Sequence, residues 1–213
     1  HDEQLSTEEQ WIARLVRRVS GMSEDGASEE IKAAREANRF QNLCHVLVLS
    51  GVPTKEELFS VNICGSNFYQ DNPNAHVEAA PPMVVEASRG GKGHDVVVAV
   101  SVGKVLRIRN TGRRQWQTQG KYVQDWPIWE DDSKVLLARI DDPNVVAASR
   151  PIILAGENSL VLLSSDRGTV LGTATFPQPT IGRPILADFN GDGTTDVMVM
   201  TADAVWGYHV SVR

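Results

Sequence analysis

The sequence is poor in the residues that most often carry chemistry. It has two cysteines and five histidines in 213 residues. His1, His45, His76, His94 and His209 are scattered without metal-ligand spacing, and each reads as a surface or strand residue. There is no His-Glu-x-x-His, Gly-x-Ser-x-Gly or Cys-x-x-Cys, so no nucleophile, base and orienter are supplied together. Long hydrophobic runs are also missing. The longest, Val96 to Val102, is far too short to cross a bilayer. Basic residues are outnumbered, 21 Lys+Arg against 27 Asp+Glu for a net charge of −6, and no basic patch argues for nucleic acid or an anionic membrane. No Asn-x-Ser/Thr sequon occurs. The remainder, 41% hydrophobic and 23% charged, is a soluble globular composition. A chain of this length buries a sizeable core without needing disulfides or metals. It opens on His1-Asp2-Glu3, with neither Met nor a signal-type apolar segment, and reads as processed or trimmed.

The first forty residues differ from the rest. Ser6-Thr7-Glu8-Glu9 fits a capping box, and Trp11, Ile12, Leu15, Val16 and Val19 then recur on one helical face. After a polar break from Gly21 to Gly26, a second helix is predicted from Ser28 to Phe40, with Ile31, Ala34 and Ala37 on one side. Residues 1–40 are thus expected to contain a helical hairpin, which either packs on the body or docks a partner.

From Leu43 onward, short runs of Val, Ile and Leu alternate with Gly, Asn and Asp turns, the pattern of strands. The runs repeat. Asp95-Val96-Val97-Val98-Ala99 falls on Pro151-Ile152-Ile153-Leu154-Ala155 at a shift of 56 residues. The same shift carries Val105 to Gly112 onto Val161 to Gly168, with Gly at the same turn position. A third copy runs through Asp196 to Met200 and Ala204 to Tyr208, and a fourth through Val46 to Leu49 and Leu58 to Gly65. Apolar lead-ins precede the later copies at Met83-Val84-Val85, Val135-Leu136-Leu137 and Ile185-Leu186-Ala187. A period of about 40–55 residues with three or four strands per unit is that of propeller blades, which must stack to bury both faces. The expected fold is therefore mainly β: about four blades, at 41–80, 82–134, 135–181 and 184–213, behind the helical hairpin. The outer two are incomplete, so the chain reads as part of a larger ring or as one completed by other chains.

One local motif carries chemistry. In Asp188-Phe189-Asn190-Gly191-Asp192-Gly193-Thr194-Thr195-Asp196, oxygen side chains stand at relative positions 1, 3, 5 and 9, and position 7 offers a backbone carbonyl. A calcium-sized cation takes six or more oxygens, and it relieves the repulsion among clustered carboxylates. Gly193 permits the sharp turn that gathers them. The flanks exclude an EF-hand or a dockerin, because position 12 is Val199 within a strand.

The strand–Asp-Phe-Asn-Gly-Asp-Gly-x-x-Asp–strand arrangement of residues 184–200 resembles the FG-GAP repeat of integrin α-chain-type β-propellers and their bacterial and plant relatives; over 41–213 the blade pattern is a weaker likeness. The resemblance implies a mostly structural Ca2+ held by the side chains of Asp188, Asn190, Asp192 and Asp196 and the carbonyl of Thr194. The matching stretch before Asp95 keeps only that final Asp, and its Arg89 and Lys92 would repel a cation. Asp141-Asp142-Pro143-Asn144 has the wrong spacing, so one intact site is expected. Gly90-Gly91-Lys92-Gly93 lacks the spacing and the following helix of a phosphate loop.

If the strands around residues 44–50 and 58–64 pair as an antiparallel hairpin, Cys44 lies opposite Cys64, within disulfide reach. The bridge is expected, with two buried thiols as the alternative, and it would place the chain outside the cytosol. Trp116, Trp126 and Trp129 read as packing between blades or as an aromatic contact surface. Together these features lead to a non-catalytic, calcium-binding recognition or adhesion module, extracytoplasmic, with a protein or glycan partner. Two other classes stay open: a structural subunit docking through its N-terminal helices, and a fragment of a propeller-containing hydrolase or lyase. Plant-type relatives are membrane-anchored, and Tyr208 to Arg213 would precede such an anchor.

Overall fold

The computed structural model describes residues 44–49, 57–64, 76–87, 93–120, 123–146 and 149–210. The helical hairpin expected over 1–40 lies outside them, as do Arg89 and Lys92. The chain divides into two compact units, His1–Val46 with Cys64–Ala75, and Leu47–Ile63 with His76–Arg213. In the smaller unit, Cys44 and Cys64 form the expected disulfide, with Cα atoms 5.5 Å apart.

The described part is mainly β, in four antiparallel sheets. β1 (His45–Leu49) pairs with β2 (Glu57–Asn62). The larger unit then has a sheet of β3 (Met83–Glu86), β4 (His94–Val100), β5 (Lys104–Ile108) and β6 (Arg114–Gln119). A middle sheet follows with β7 (Leu136–Arg139), β8 (Ile152–Ala155), β9 (Ser159–Leu163) and β10 (Val170–Thr175). The last sheet has three strands, β11 (Ile185–Ala187), β12 (Asp196–Met200) and β13 (Val205–Tyr208). Each of these three sheets is a meander, its strands neighbours in sequence order. No ring closes among the described residues.

Strand alternation explains the packing. Successive side chains point to opposite faces of a sheet, so a sheet buried on both sides needs unbroken apolar runs. β8 is such a run, buried along its whole length. Ile152 and Leu154 point, with Leu137, Val161 and Leu163, into a core shared with Val85, Val97, Ala99 and Val105 of the β3–β6 sheet. Ile153, Ala155 and Leu160 point the other way, into a second core with Val197, Val199 and Val210. The middle sheet is therefore sandwiched between its neighbours. Trp116, Trp126 and Trp129 belong to the first core, so the packing reading of this cluster holds. The indole nitrogens of Trp126 and Trp129 are buried without a hydrogen-bond partner.

The repeat in the sequence has a backbone cause. Gly112 and Gly168, equivalent by the 56-residue shift, both sit in the left-handed region, at φ 77° and 68°. A side chain at Gly112 would strike Phe59 of β2, 2.8 Å from its Cβ. One at Gly168 would strike the Trp116 ring of the preceding sheet. Each turn is thus also a close contact with the neighbouring sheet.

Arg107 is the largest fully buried side chain among the described residues, and nothing in the sequence singled it out. Its Nε donates to Asp95 Oδ2 at 2.9 Å, and its Nη1 donates to the carbonyl oxygen and hydroxyl of Ser165 at 2.8 and 2.9 Å. Nη2 donates to the Glu86 carbonyl at 2.6 Å and lies 2.9 Å from Asp95 Oδ2. The guanidinium neutralises a buried carboxylate in its own sheet and fastens that sheet to the turn after β9.

Candidate metal site

The acidic motif forms the connection from β11 to β12. Ala187 pairs with Asp196, so the loop leaves and re-enters the sheet at facing positions. Asp188, Asn190 and Asp192 are exposed, Thr194 is half-buried, and Asp196 is fully buried as the first residue of β12. Gly193 has φ 85°, the left-handed conformation the turn was expected to require of it.

The loop is organised by its own side chains. Asp188 Oδ1 accepts from the amides of Gly191 and Asp192 at 2.8 and 3.1 Å, and its Oδ2 accepts from Gly193 at 2.8 Å. Asn190 Oδ1 accepts from the Asp192 amide, and Asp192 Oδ1 from the Thr194 amide at 2.7 Å. Such short polar side chains stabilise turns by bonding to amides a few residues on. The Thr194 amide, with the Asn190 side chain and the nearby imidazole of His209 as weaker causes, holds the Asp192 carboxyl below its ordinary range despite some desolvation. The loop also leans on the middle sheet: the Thr195 amide donates to the Asp141 carbonyl at 3.0 Å. Asp141 itself pairs with Arg150 at 2.7 Å.

His209 is the site residue that the sequence reading missed. Its Nδ1 lies 2.9 Å from Asp196 Oδ1, 3.6 Å from Asp192 Oδ2 and 3.3 Å from Asn190 Nδ2. The signal was register. Val197 pairs with Tyr208, so continuing the hairpin by one residue places His209 opposite Asp196. The same reasoning that paired the cysteines would have found it.

Asp196 makes the site unusual. Oδ1 is met by His209 and, at 3.3 Å, by the Val210 amide, while Oδ2 is buried with no hydrogen-bond partner. A half-satisfied carboxylate in a dry setting is costly unless a cation balances it. The donor set, all oxygen with a backbone carbonyl at Thr194, is the hard-ligand kind that suits Ca2+. Orphaned oxygen and donor chemistry therefore fit a cation. The remaining carboxylates are turned onto loop amides. Among the described residues, no group of three or more His, Cys, Asp or Glu side chains converges on one point.

No family model matches the chain, and no curated protein matches it. Among solved structures it is similar to the crystal structure of the V. cholerae biofilm matrix protein Bap1, at 13% identity and a TM-score of 0.37. The match covers 55% of this chain and 19% of that one, so this chain spans about a fifth of its neighbour. A likeness of that size carries nothing beyond itself. Among the described residues, no helix is long and apolar enough to cross a membrane.

Proposed function

We propose that this chain is a non-catalytic, calcium-binding module of propeller blades of the FG-GAP type, which presents its loops to a protein or glycan partner at an extracytoplasmic surface. The observation that carries the reading is the buried, unpartnered Oδ2 of Asp196 at the end of an acidic strand-to-strand loop. Asp188, Asn190, Asp192, Asp196 and the Thr194 carbonyl would hold the ion. Once bound, it would supply positive charge to this carboxylate cluster beside the His209 imidazole. The face-to-face meander sheets support blades, since each buries its faces only through its neighbours. The Cys44–Cys64 bridge supports an oxidising compartment, where disulfides persist.

Titration calorimetry with CaCl2 tests the site. One ion per chain is expected, with a melting temperature that rises with calcium and falls with chelator. Saturation at about 100 times Kd contributes about 2.7 kcal/mol. Asp192→Ala should remove the binding heat. A melting temperature indifferent to chelator, with no heat on titration, would overturn the reading.

A further inference from the structure

Strand register shows how each sheet answers the start of its second strand. Asp95 is met by Arg107 of β5, which stands opposite Val97, two residues on from the aspartate. In the middle sheet Pro151 holds the aspartate's place, and Leu162 stands opposite Ile153 where the arginine would be. Charge and counter-charge are gone together there. In the last sheet Asp196 keeps the charge, but the residue opposite Met198 is Gly207. A side chain at Gly207 would strike the Phe189 ring, 2.8 Å from its Cζ. The last sheet thus holds a fully buried carboxylate without the guanidinium that serves Asp95.

Asp196 has instead the residue directly opposite it, His209. A carboxylate only accepts, so at 2.9 Å from Asp196 Oδ1 the Nδ1 of His209 carries a proton toward that oxygen. Asn190 Nδ2, 3.3 Å from the same nitrogen, is turned to Asp192 Oδ2 at 3.1 Å. The Val210 amide donates to Asp196 Oδ1 as well, at 3.3 Å. One oxygen of the carboxylate is therefore held by two donors from the end of one strand. The other, Oδ2, is buried and has no hydrogen-bond partner among the described residues.

We infer that His209 is a positioning residue of the cation site: its Nδ1–H fixes Asp196 through Oδ1 and so presents Oδ2 to the ion. This rests on the calcium reading given above. A carboxylate ligand works best when its orientation is set beforehand by hydrogen bonds to the oxygen that the ion does not take. An imidazole N–H needs no charge of its own to hold that oxygen, whereas a guanidinium always brings one. With His209 in the place facing Asp196 and Gly207 in the place of Arg107, the carboxylate is held still while its charge stays available to an ion.

Titration calorimetry with CaCl2 on the 213-residue chain and two variants tests this. His209→Phe keeps a ring and loses the donor. It should weaken calcium binding about 10–100-fold, the usual loss when a hydrogen-bond partner of a metal ligand is removed. His209→Asn keeps an N–H donor near the place of Nδ1 and should bind as the parent does. Melting curves separate positioning from packing: the calcium-induced rise should shrink in His209→Phe and persist in His209→Asn, whatever either does to the ion-free midpoint. His209→Leu takes the place of His209→Phe should that variant misfold. A parent that binds calcium while His209→Phe binds it equally well overturns the positioning role and leaves the calcium site standing. So does a His209→Asn variant as weak as His209→Phe. A parent that binds no calcium overturns both.

Discussion

Replacing Arg107 tests whether the buried ion pair holds the β3–β6 sheet and the turn after β9 together. Arg107→Met keeps much of the side-chain volume and removes the charge. It leaves the Asp95 carboxylate, 2% exposed, with no guanidinium, and it frees the Glu86 carbonyl. The Ser165 carbonyl is less affected, because Trp116 Nε1 also donates to it at 2.8 Å. Removing one partner of a buried pair costs about 3–5 kcal/mol, since a charge stays behind without its counter-charge. At about 2–4 °C per kcal/mol for a domain of this size, the melting temperature should fall by about 6–20 °C. Adding Asp95→Leu removes the stranded carboxylate and should restore most of the loss, because an apolar pair of similar volume often equals a buried ionic one. Urea titration of the four proteins closes the cycle, with a coupling of about 2 kcal/mol or more expected. If Arg107→Met costs under about 1 kcal/mol, or if the double variant loses the sum of the two singles, the pair does not hold these elements together.

Three further outcomes follow from other sites. Gly168→Ala should cost about 2 kcal/mol or more in urea titration, because φ is 68° there and the new methyl strikes Trp116, whereas Gly172→Ala meets nothing within 4 Å and should stay within about 0.5 kcal/mol. A thiol assay in denaturant without reductant should find no reactive cysteine, and reduction should cost about 3 kcal/mol for a closed loop of 20 residues. Asp131 caps the turn Asp132–Lys134 by accepting from the Ser133 amide at 2.8 Å, which holds its carboxyl below the ordinary 3.8. The unfolded chain therefore takes up this proton first: the cap's contribution is present above that ordinary value and is lost as pH falls through the lower folded one, and a carboxyl-carbon NMR titration should place the midpoint below 3.8.

Apolar runs made much of the fold legible. Val97 to Val100 and Ile152 to Ala155 are buried on both faces, and such strands announce themselves without knowledge of their neighbours. The fourth strands are quieter. β6 reads Arg-Gln-Trp-Gln-Thr-Gln and β10 Val-Leu-Gly-Thr-Ala-Thr, because the outer strand of each sheet buries little. The disulfide was legible because hairpin register is simple arithmetic. Arg107 was not: in Arg107-Ile108-Arg109 a charged residue flanking an apolar one looks solvated, and only the folded sheet brings Asp95, the Glu86 carbonyl and Ser165 together as the partners that make its burial affordable. His209 was hidden for a related reason, since one histidine near the end of a strand means nothing until the register sets it against Asp196.

Asp95 and Asp196 occupy the same architectural position, each a buried aspartate where the second strand of its sheet begins. They are answered differently. Asp95 is met from within its own sheet by the Arg107 guanidinium. Asp196 is met on one oxygen by the Val210 amide and by an imidazole whose side chain is 46% open to water, and its other oxygen has no hydrogen-bond partner among the described residues. With the proposed ion, the stack would have one self-sufficient end and one that answers to the ionic composition of its surroundings. Repetition would make this division of labour possible: with an ion at the proposed site, one unit would sense the medium while its copies, with the same strands, ignored it. Fraying should then begin at β11–β13, leaving the β3–β6 sheet as the last to open.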